Sequence, residues 1–584
     1  MPGRAFILRF LAIAATGLMV VSLFPPYSFA GLAWLCLIPL LIALWSLDGK
    51  HRAKKGFLIG YLAGALSFGV QLSWLSEVTL GGAIALPLYL ALYWGAFGAF
   101  AATIGNPWHQ RGVVSENQLR CLFTAFTHAS IWAGLEWLRG AMVYVGFGWN
   151  GLGIAFHDTL AISQAADLLG VTGLSLMLVF FQSVLVQVGH RLKRTAIDGL
   201  RRPRWDFAIA ALAVALLLAY GIVRIATEGA KESIPLKALL VQINIPQDAS
   251  QVLWAAEKVH MAYEDETIER LRKIQAEDEE KLQAAITKGK EGGIQLGSPD
   301  WVVWPETALT GRIIRSDDGE WGTWRENMDT IGRVREAGRF DLIYGAVEIE
   351  GEARDDGLYQ KENPRIYNSI AIQSADDDLQ TFRKHHLVTF GETIPFVDSI
   401  PLLKKIYEQQ SGAQYNGSFT SGTSLDPLVV MLDGKEVQII PSVCFEDTVP
   451  SLTRKFVRDA PQIIVNLTND GWFKESRAAA QHFANARFRA IELRRPMLRC
   501  ANTGVSAAID TIGSTIHPKT GKPQIITDAD GSTFVRGSLL TELKLPLKPS
   551  TSLYAVIGNW GIIGLSVIGI VLAFACRKHN AIAS

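Results

Sequence analysis

A chain of 584 residues, 49% apolar and only 19% charged, has room for several domains, and its charge is crowded into the second half. A formal net charge of +1 provides no bulk basicity with which to hold nucleic acid, and no nucleic-acid partner is expected. Five cysteines, Cys36, Cys121, Cys444, Cys500 and Cys576, are too few and too scattered for a disulfide framework, and none forms a CxxC metal pair.

Crossing the hydrocarbon core takes roughly 20 apolar residues per helix. Such segments lie near 5–24, 30–47, 57–76, 82–104, 121–143, 160–189, 206–226 and 553–576, which predicts eight spans. The fifth carries Glu136 and Arg139, charges that are costly in lipid and are therefore expected to face inward or to lie at the interface. Arg4 before the first segment and Ser28-Phe29-Ala30 after it are features of a signal peptide, but more spans follow at once, so the segment reads as a helix. Lys50, Arg52, Lys54 and Lys55 follow span two, and Arg111 and Arg120 follow span four. Arg191, Lys193, Arg194, Arg201, Arg202 and Arg204 separate spans six and seven, and Arg577 and Lys578 follow span eight. The alternate loops 25–29 and 77–81 hold no Lys or Arg. The positive-inside rule then predicts both termini in the cytoplasm and the stretch 227–552 outside it. The expected domains are a seven-helix transmembrane domain over 1–226, an extracytoplasmic domain over 227–552, and an eighth helix with a short cytoplasmic tail over 553–584.

Between 237 and 550 the pattern changes to short apolar runs separated by turn-rich segments. The runs 238–241, 301–304, 342–347, 437–443 and 463–467 are rich in Val and Ile and predict strands buried on both faces. A helix is expected over 250–288, with Ile268, Leu271 and Ile274 on its apolar stripe and the acidic run 277–280 on its solvated side. The segment 289–297 has four glycines without phosphate-loop spacing and reads as a linker. A second helix is expected over 477–493, with Phe483, Ala486 and Ala490 along one stripe. Alternating strands and helices imply a layered α/β domain.

Three motifs place ionisable or nucleophilic groups at the ends of predicted strands, where ligands of α/β domains usually meet side chains. They are Trp304-Pro305-Glu306, Arg383-Lys384-His385-His386-Leu387 leading to Gly391-Glu392, and Ser442-Val443-Cys444-Phe445-Glu446-Asp447. Each has a plain alternative: a strand-end Cys is often a small buried hydrophobe, a Glu after Trp-Pro caps a helix, and a Lys beside two histidines sits on a solvated turn. Their joint occurrence argues for chemistry, because a thiol needs a base and an acyl-transfer oxyanion needs a cation or N–H donors. Cys500 reads as a buried structural thiol. His385 and His386 are adjacent and no other His or Cys has ligand-like spacing, so no metal is expected.

The order Glu306, Lys384, Cys444 in these contexts resembles the nitrilase (carbon–nitrogen hydrolase) superfamily, and more closely the apolipoprotein N-acyltransferase family. The resemblance covers nearly the whole chain: Glu136-Trp137-Leu138-Arg139, Gly146-Phe147-Gly148-Trp149-Asn150 and Gly170-Val171-Thr172-Gly173-Leu174 in the apolar half, then Gln242-Ile243-Asn244-Ile245-Pro246-Gln247 and Tyr367-Asn368-Ser369. It continues through Asn469-Asp470-Gly471-Trp472-Phe473, Gln481-His482, Arg494-Arg495-Pro496 and Asn502-Thr503-Gly504. Departures are Gly148 and Thr389 for prolines, Phe445 for tyrosine and Lys474 for glycine, which bear on loop shape and leave the triad in place.

This resemblance implies a nitrilase-like αββα sandwich outside the membrane, with Glu306 as general base, Lys384 as oxyanion stabiliser and Cys444 as nucleophile. Glu392 and Glu446 match two further carboxylates that orient Lys384 and the surroundings of the thiol. It also implies a multi-pass protein of the bacterial inner membrane, acting without a cofactor and as a monomer. The expected donor is a phospholipid, phosphatidylethanolamine by resemblance, and the expected acceptor is a diacylglyceryl-apolipoprotein. The segment 395–407, with Phe396, Val397, Ile400, Leu402, Leu403 and Ile406, reads either as an apolar lid or as a locally packed helix. Two other functions fit parts of the sequence: a membrane-tethered amidase, and a receptor or transporter with an extracytoplasmic sensing domain.

Overall fold

The computed structural model describes residues 2–108, 117–142, 146–199, 204–247, 253–288, 296–394, 400–411 and 418–582. Arg111, Arg201 and Arg202 of the basic loops, most of the linker 289–297 and residues 395–399 of the lid segment lie outside them. The chain divides into two compact units, Met1–Gly229 with Thr551–Ser584, and Ala230–Ser550.

The first unit is helical. Its helices are α1 (Pro2–Val21), α2 (Ile38–Trp45), α3 (Arg52–Gln71), α4 (Leu80–Ala101), α5 (Gln118–Ala141), α6 (Leu160–Ser163), α7 (Ala166–Leu169), α8 (Val171–Asp198) and α9 (Trp205–Gly229), completed by Leu553–Ile557 and Trp560–Ile582. Among the described residues four helices are long and apolar enough to cross a membrane: Gly3–Val21, Leu80–Ala101, Val171–Ile197 and Trp205–Gly229. The other segments expected to span are interrupted or charged. Segment 30–47 is a 3-10 turn, Ala30–Trp34, followed by α2, whose first turn holds Pro39. Eight residues of helix rise only about 12 Å. Segment 160–189 supplies the third of those four helices, but only after a break at Gly170, whose φ of 71° is open to glycine and strained for other residues. Helix α3 opens on Arg52, Lys54 and Lys55, and α5 carries Arg120, Glu136 and Arg139. Arg139 is buried, donates to the Trp149 carbonyl at 2.9 Å and lies over the Phe68 ring, while Glu136 accepts from the Ser175 hydroxyl and the Leu152 N–H.

The second unit begins with β1 (Ser233–Gln242), α10 (Ala256–Thr287), β2 (Trp301–Val303), β3 (Ile313–Ser316), β4 (Trp321–Thr323), α11 (Arg325–Arg335), β5 (Asp341–Arg354), β6 (Gly357–Gln360), β7 (Ile366–Gln373) and β8 (Leu379–Arg383). It continues with α12 (Pro401–Ser411), β9 (Leu428–Leu432), β10 (Lys435–Val443), α13 (Pro450–Thr453), β11 (Gln462–Thr468), α14 (Arg477–Leu493), β12 (Met497–Ala501), β13 (Ala507–Ile509) and β14 (Gly537–Pro546). Among the described residues nine strands form one sheet with the path β14-β1-β2-β5-β3-β4, with β6 and β7 pairing on β5 and β8 on β7. Five form the other, in the order β13-β12-β11-β10-β9. The strands read as Val/Ile runs lie at the parallel centres: β1-β2-β5 in the first sheet, and β10-β11 in the second, where β12, not among those runs, pairs parallel with β11.

Alternation along these strands sends one face to helices and the other to the second sheet. Leu239, Val241, Val302, Leu342 and Tyr344 pack against Val259, Tyr263 and Leu271 of α10 and Ile331 and Val334 of α11. Each such side chain contributes roughly 1.5–3 kcal/mol by leaving water. From the other sheet, the Cys500 thiol on β12 donates to the carbonyls of Val303 at 3.2 Å and Val241 at 3.4 Å. Helix α14 is buried nearly throughout, including His482, Arg487, Arg489 and Glu492. The order is therefore helix, sheet, sheet, helix. One surface reading needs correcting: Asp278 of the acidic run is buried and accepts the N–H groups of Gly297 at 2.7 Å and Ser298 at 3.1 Å. In the segment 395–407, read as either a lid or a packed helix, Ile400 and Leu402 are exposed and the helix α12 begins at Pro401.

Candidate active site

Glu306 follows β2 by way of Trp304, a buried ring stacked on Tyr263 with its N–H on the Thr267 hydroxyl at 3.1 Å. The chain then folds over Gly345 of β5, which donates to Pro305 O and accepts from Ala308 N, each at 3.0 Å. A Cβ on Gly345 would stand 2.5 Å from Glu306 Cα, so only glycine lets the turn sit this close.

Lys384 follows β8. Its N–H bonds to Asn368 O at 2.8 Å, and its ammonium lies 2.7 Å from Glu392 Oε2. The preceding Arg383 stacks over Tyr367 and pairs with the buried Glu348 at 2.7 Å, anchoring the strand end. Cys444 directly follows β10 with φ at 52°, in the left-handed region that is uncommon for a side-chain-bearing residue. Strain of this kind persists where the surroundings over-determine it. Asn466 donates to the Cys444 carbonyl at 3.2 Å and the Ser442 hydroxyl at 3.0 Å, and Glu446 accepts from Val443 N at 2.8 Å. The other oxygen of Glu446 accepts from His385 N at 2.7 Å and His386 N at 2.9 Å, tying the Lys384 loop to the Cys444 turn.

These residues form one electrostatic cluster. Lys384 and Glu446 are 1% exposed, Glu306 is 8% exposed and Cys444 is half-buried. Burial pushes Glu306 above the ordinary carboxylate range, Lys384 pulls it back, Glu392 opposes that pull, and the Asn368 amide and Cys444 thiol add hydrogen bonds that lower it. Burial works against the charge of Lys384, but Glu392 and then Cys444 and Glu306 outweigh it and hold the ammonium above its usual value. Burial and then Glu306 raise the Cys444 thiol well above its ordinary value, against Lys384. Burial lifts Glu446 to about 7, restrained by Lys384 and the three backbone N–H groups. The site thus sets a thiol beside a carboxyl group and a fixed cation. Such a set suits proton transfer coupled to attack on a carbonyl, with the ammonium meeting the oxyanion.

The structure thus brings together Glu306, Lys384, Cys444, Glu392 and Glu446. It also adds Asn368, 5% exposed, whose single Nδ2 donates to Glu306 Oε1 and to Glu392 Oε1, each at 2.7 Å. Tyr367-Asn368-Ser369 marked this position in the sequence, but nothing local revealed a bridge between carboxylates 62 and 24 residues away. Two departures from the family pattern fall in the surrounding loops. Phe445 stacks on His386, and Lys474 has φ at 50°, where glycine is free of strain.

The apolipoprotein N-acyltransferase N-terminal domain matches residues 16–184, and the carbon-nitrogen hydrolase family matches residues 240–530. The apolipoprotein N-acyltransferase of Geobacter metallireducens is 29% identical over 86% of this chain and 85% of its own length. That of Bradyrhizobium diazoefficiens is 29% identical over 97% of this chain and 94% of its own, and that of Photobacterium profundum 26% identical over 98% and 96%. Among solved structures, an amidase from Nesterenkonia sp. AN1 aligns with 51% of this chain and 95% of its own at 11% identity and a TM-score of 0.28, too distant to inform the site. With both domains in sequence, and relatives that extend across them, the chain belongs to the apolipoprotein N-acyltransferase family.

Proposed function

We propose that this protein moves an acyl chain from a phospholipid, through a thioester on Cys444, to the α-amino group of a lipoprotein's N-terminal diacylglyceryl-cysteine. The observation that carries this reading is the buried cluster in which Glu306 and Lys384 both act on the Cys444 thiol. Glu306 takes the thiol proton as Sγ attacks the sn-1 ester carbonyl, and Lys384 meets the oxyanion. Collapse breaks the ester C–O bond, the proton passes to the glycerol oxygen, and lysophospholipid leaves. The acceptor amine then attacks the thioester, giving its proton to Glu306. The C–S bond breaks as the amide forms, and Glu306 returns the proton to sulfur. Glu392 keeps Lys384 charged and Glu446 ties its loop to the nucleophile turn. Phosphatidylethanolamine is the proposed donor and the monomer the working unit.

Both substrates carry lipid, which is a physical reason to join a carbon-nitrogen hydrolase domain to apolar helices. The loop charges support eight passages of the bacterial inner membrane, with both termini cytoplasmic and the stretch 227–552 periplasmic. A dry site would protect the thioester from hydrolysis. The N-terminal domain match favours an amine over water as acceptor. Phospholipid labelled in its sn-1 chain tests the reading. Label is expected on Cys444 and then on a lipoprotein amine, with Cys444→Ser inserting normally and taking up none. Label released only as free fatty acid would point to a hydrolase, and no covalent label would point to a receptor or transporter.

A further inference from the structure

Behind the nucleophile turn lies a second ionic cluster that the steps above do not use. His482, on α14, is 1% exposed, and its two ring nitrogens each lie 2.7 Å from a carboxylate oxygen: Nε2 from Asp447 Oδ1, and Nδ1 from Asp470 Oδ1. Arg499, on β12, reaches Asp470 Oδ2 at 3.2 Å, Asp447 Oδ2 at 3.5 Å and His482 Nδ1 at 3.0 Å, and also donates to the Val505 carbonyl. Both aspartates and the arginine are wholly buried.

Charge balance fixes the state of the ring. An ionised carboxylate only accepts, so two carboxylates at 2.7 Å call for a hydrogen on each ring nitrogen; Arg499, which only donates, then bonds to Asp470 Oδ2 and not to Nδ1. With an imidazolium the cluster sums to zero, two carboxylates against His482 and Arg499. With a neutral ring it would bury an uncompensated negative charge. The placement of the aspartates gives the cluster its reach. Asp447 lies three residues beyond Cys444 in the same 3-10 turn, Cys444–Thr448, and Asp470 opens the turn Asp470–Phe473 after β11, the strand parallel to β10. Asp470 also acts on the Cys444 thiol directly, raising it.

We propose that His482 is a positioning residue, an imidazolium clamp between Asp447 and Asp470 that fixes the left-handed Cys444 turn against the end of β11. This rests on Cys444 being the acylated nucleophile. Burial opposes the charge on His482, but Asp447 and Asp470 outweigh it, with Arg499 opposing them, and lift the ring to about 9. The ring is thus raised above its ordinary value, so the clamp's contribution to stability is complete below about 6.5 and is lost as pH rises through about 9. Losing the proton sets Asp447 against Asp470 with only Arg499 to shield them, and the turn carrying Cys444 moves. Lys384 remains charged through this range.

The test follows acyl-enzyme formation on the full-length protein in detergent or vesicles, with labelled phosphatidylethanolamine as the probe, from pH 6 to pH 10. Wild type should acylate Cys444 with an alkaline fall centred near 9. His482→Gln should acylate about 100-fold more slowly at neutral pH, as a small misplacement of a reacting group does, and lack that fall. Equal rates and equal profiles in wild type and variant overturn the clamp. If His482→Gln does not fold, ¹⁵N signals of the wild-type imidazole decide: both nitrogens protonated at pH 7.5 supports the clamp, and one unprotonated nitrogen overturns it. No label on wild-type Cys444 overturns the acyl-transfer reading, and the clamp with it.

Discussion

Two clusters of buried charge flank Cys444, and they are completed differently. In one, Asp447, Asp470, His482 and Arg499 come from four elements, are fully enclosed and pair acid with base throughout. In the other, a single Asn368 amide serves two carboxylates, while Glu306 Oε2 and Asn368 Oδ1 are buried without a partner at hydrogen-bonding distance among the described residues. Folded proteins leave few buried polar atoms unmet. Asp447 Oδ2 of the first cluster also lacks a hydrogen bond but faces Arg499 at 3.5 Å. The division is one of charge: the first cluster sets two carboxylates against His482 and Arg499, and the second, the cluster proposed to react, sets Glu306, Glu392 and Glu446 around the one ammonium of Lys384.

Substitutions in the reacting cluster test that division. Glu306→Gln keeps the shape and an oxygen for Asn368 but removes the base. Acylation of Cys444 should slow by about 1,000-fold while thermal stability is kept, and a loss under 10-fold would break the comparison. Lys384→Met should slow acylation by about 100-fold to 1,000-fold through loss of the oxyanion's cation. It should also cost stability, read as a lower Tm, because Glu392 loses its counter-charge. Asn368→Ala should have the smallest effect: about 10-fold in rate, with about 1.5–3 kcal/mol of stability at stake in hydrogen bonds to charged groups, measured by denaturant titration. A larger rate effect than that of Lys384→Met would move Asn368 from support to chemistry.

The reacting cluster was largely legible in the sequence, because Glu306 and Cys444 closely follow parallel strands that read as short apolar runs rich in Val and Ile. The supporting cluster was not. Asp447, Asp470 and Arg499 meet through the register of β10, β11 and β12, where Ser442 lies beside Asn466 and Asn466 beside Arg499, and α14 brings His482 to them. No local pattern encodes that register. Asp278 is a different case, since Leu271, Ile274 and Asp278 follow the helical period of three and four, so its place on the buried face was readable and its charge concealed it. In the apolar half, hydropathy located the segments but passed over the interruptions, because a short helix and a 3-10 turn keep the same composition as one long helix.

Gly345 carries no acid, base or donor beyond its backbone, yet the space above its Cα is where the Glu306 turn rests. Glu306, the proposed base, is thus positioned by excluded volume as much as by charge, and one methyl group on this residue of β5 changes its position. Under the proposed function, position 345 belongs to the reaction through size alone. A map of this enzyme that assigned roles only to polar side chains would leave out the surface that sets how far the base can reach.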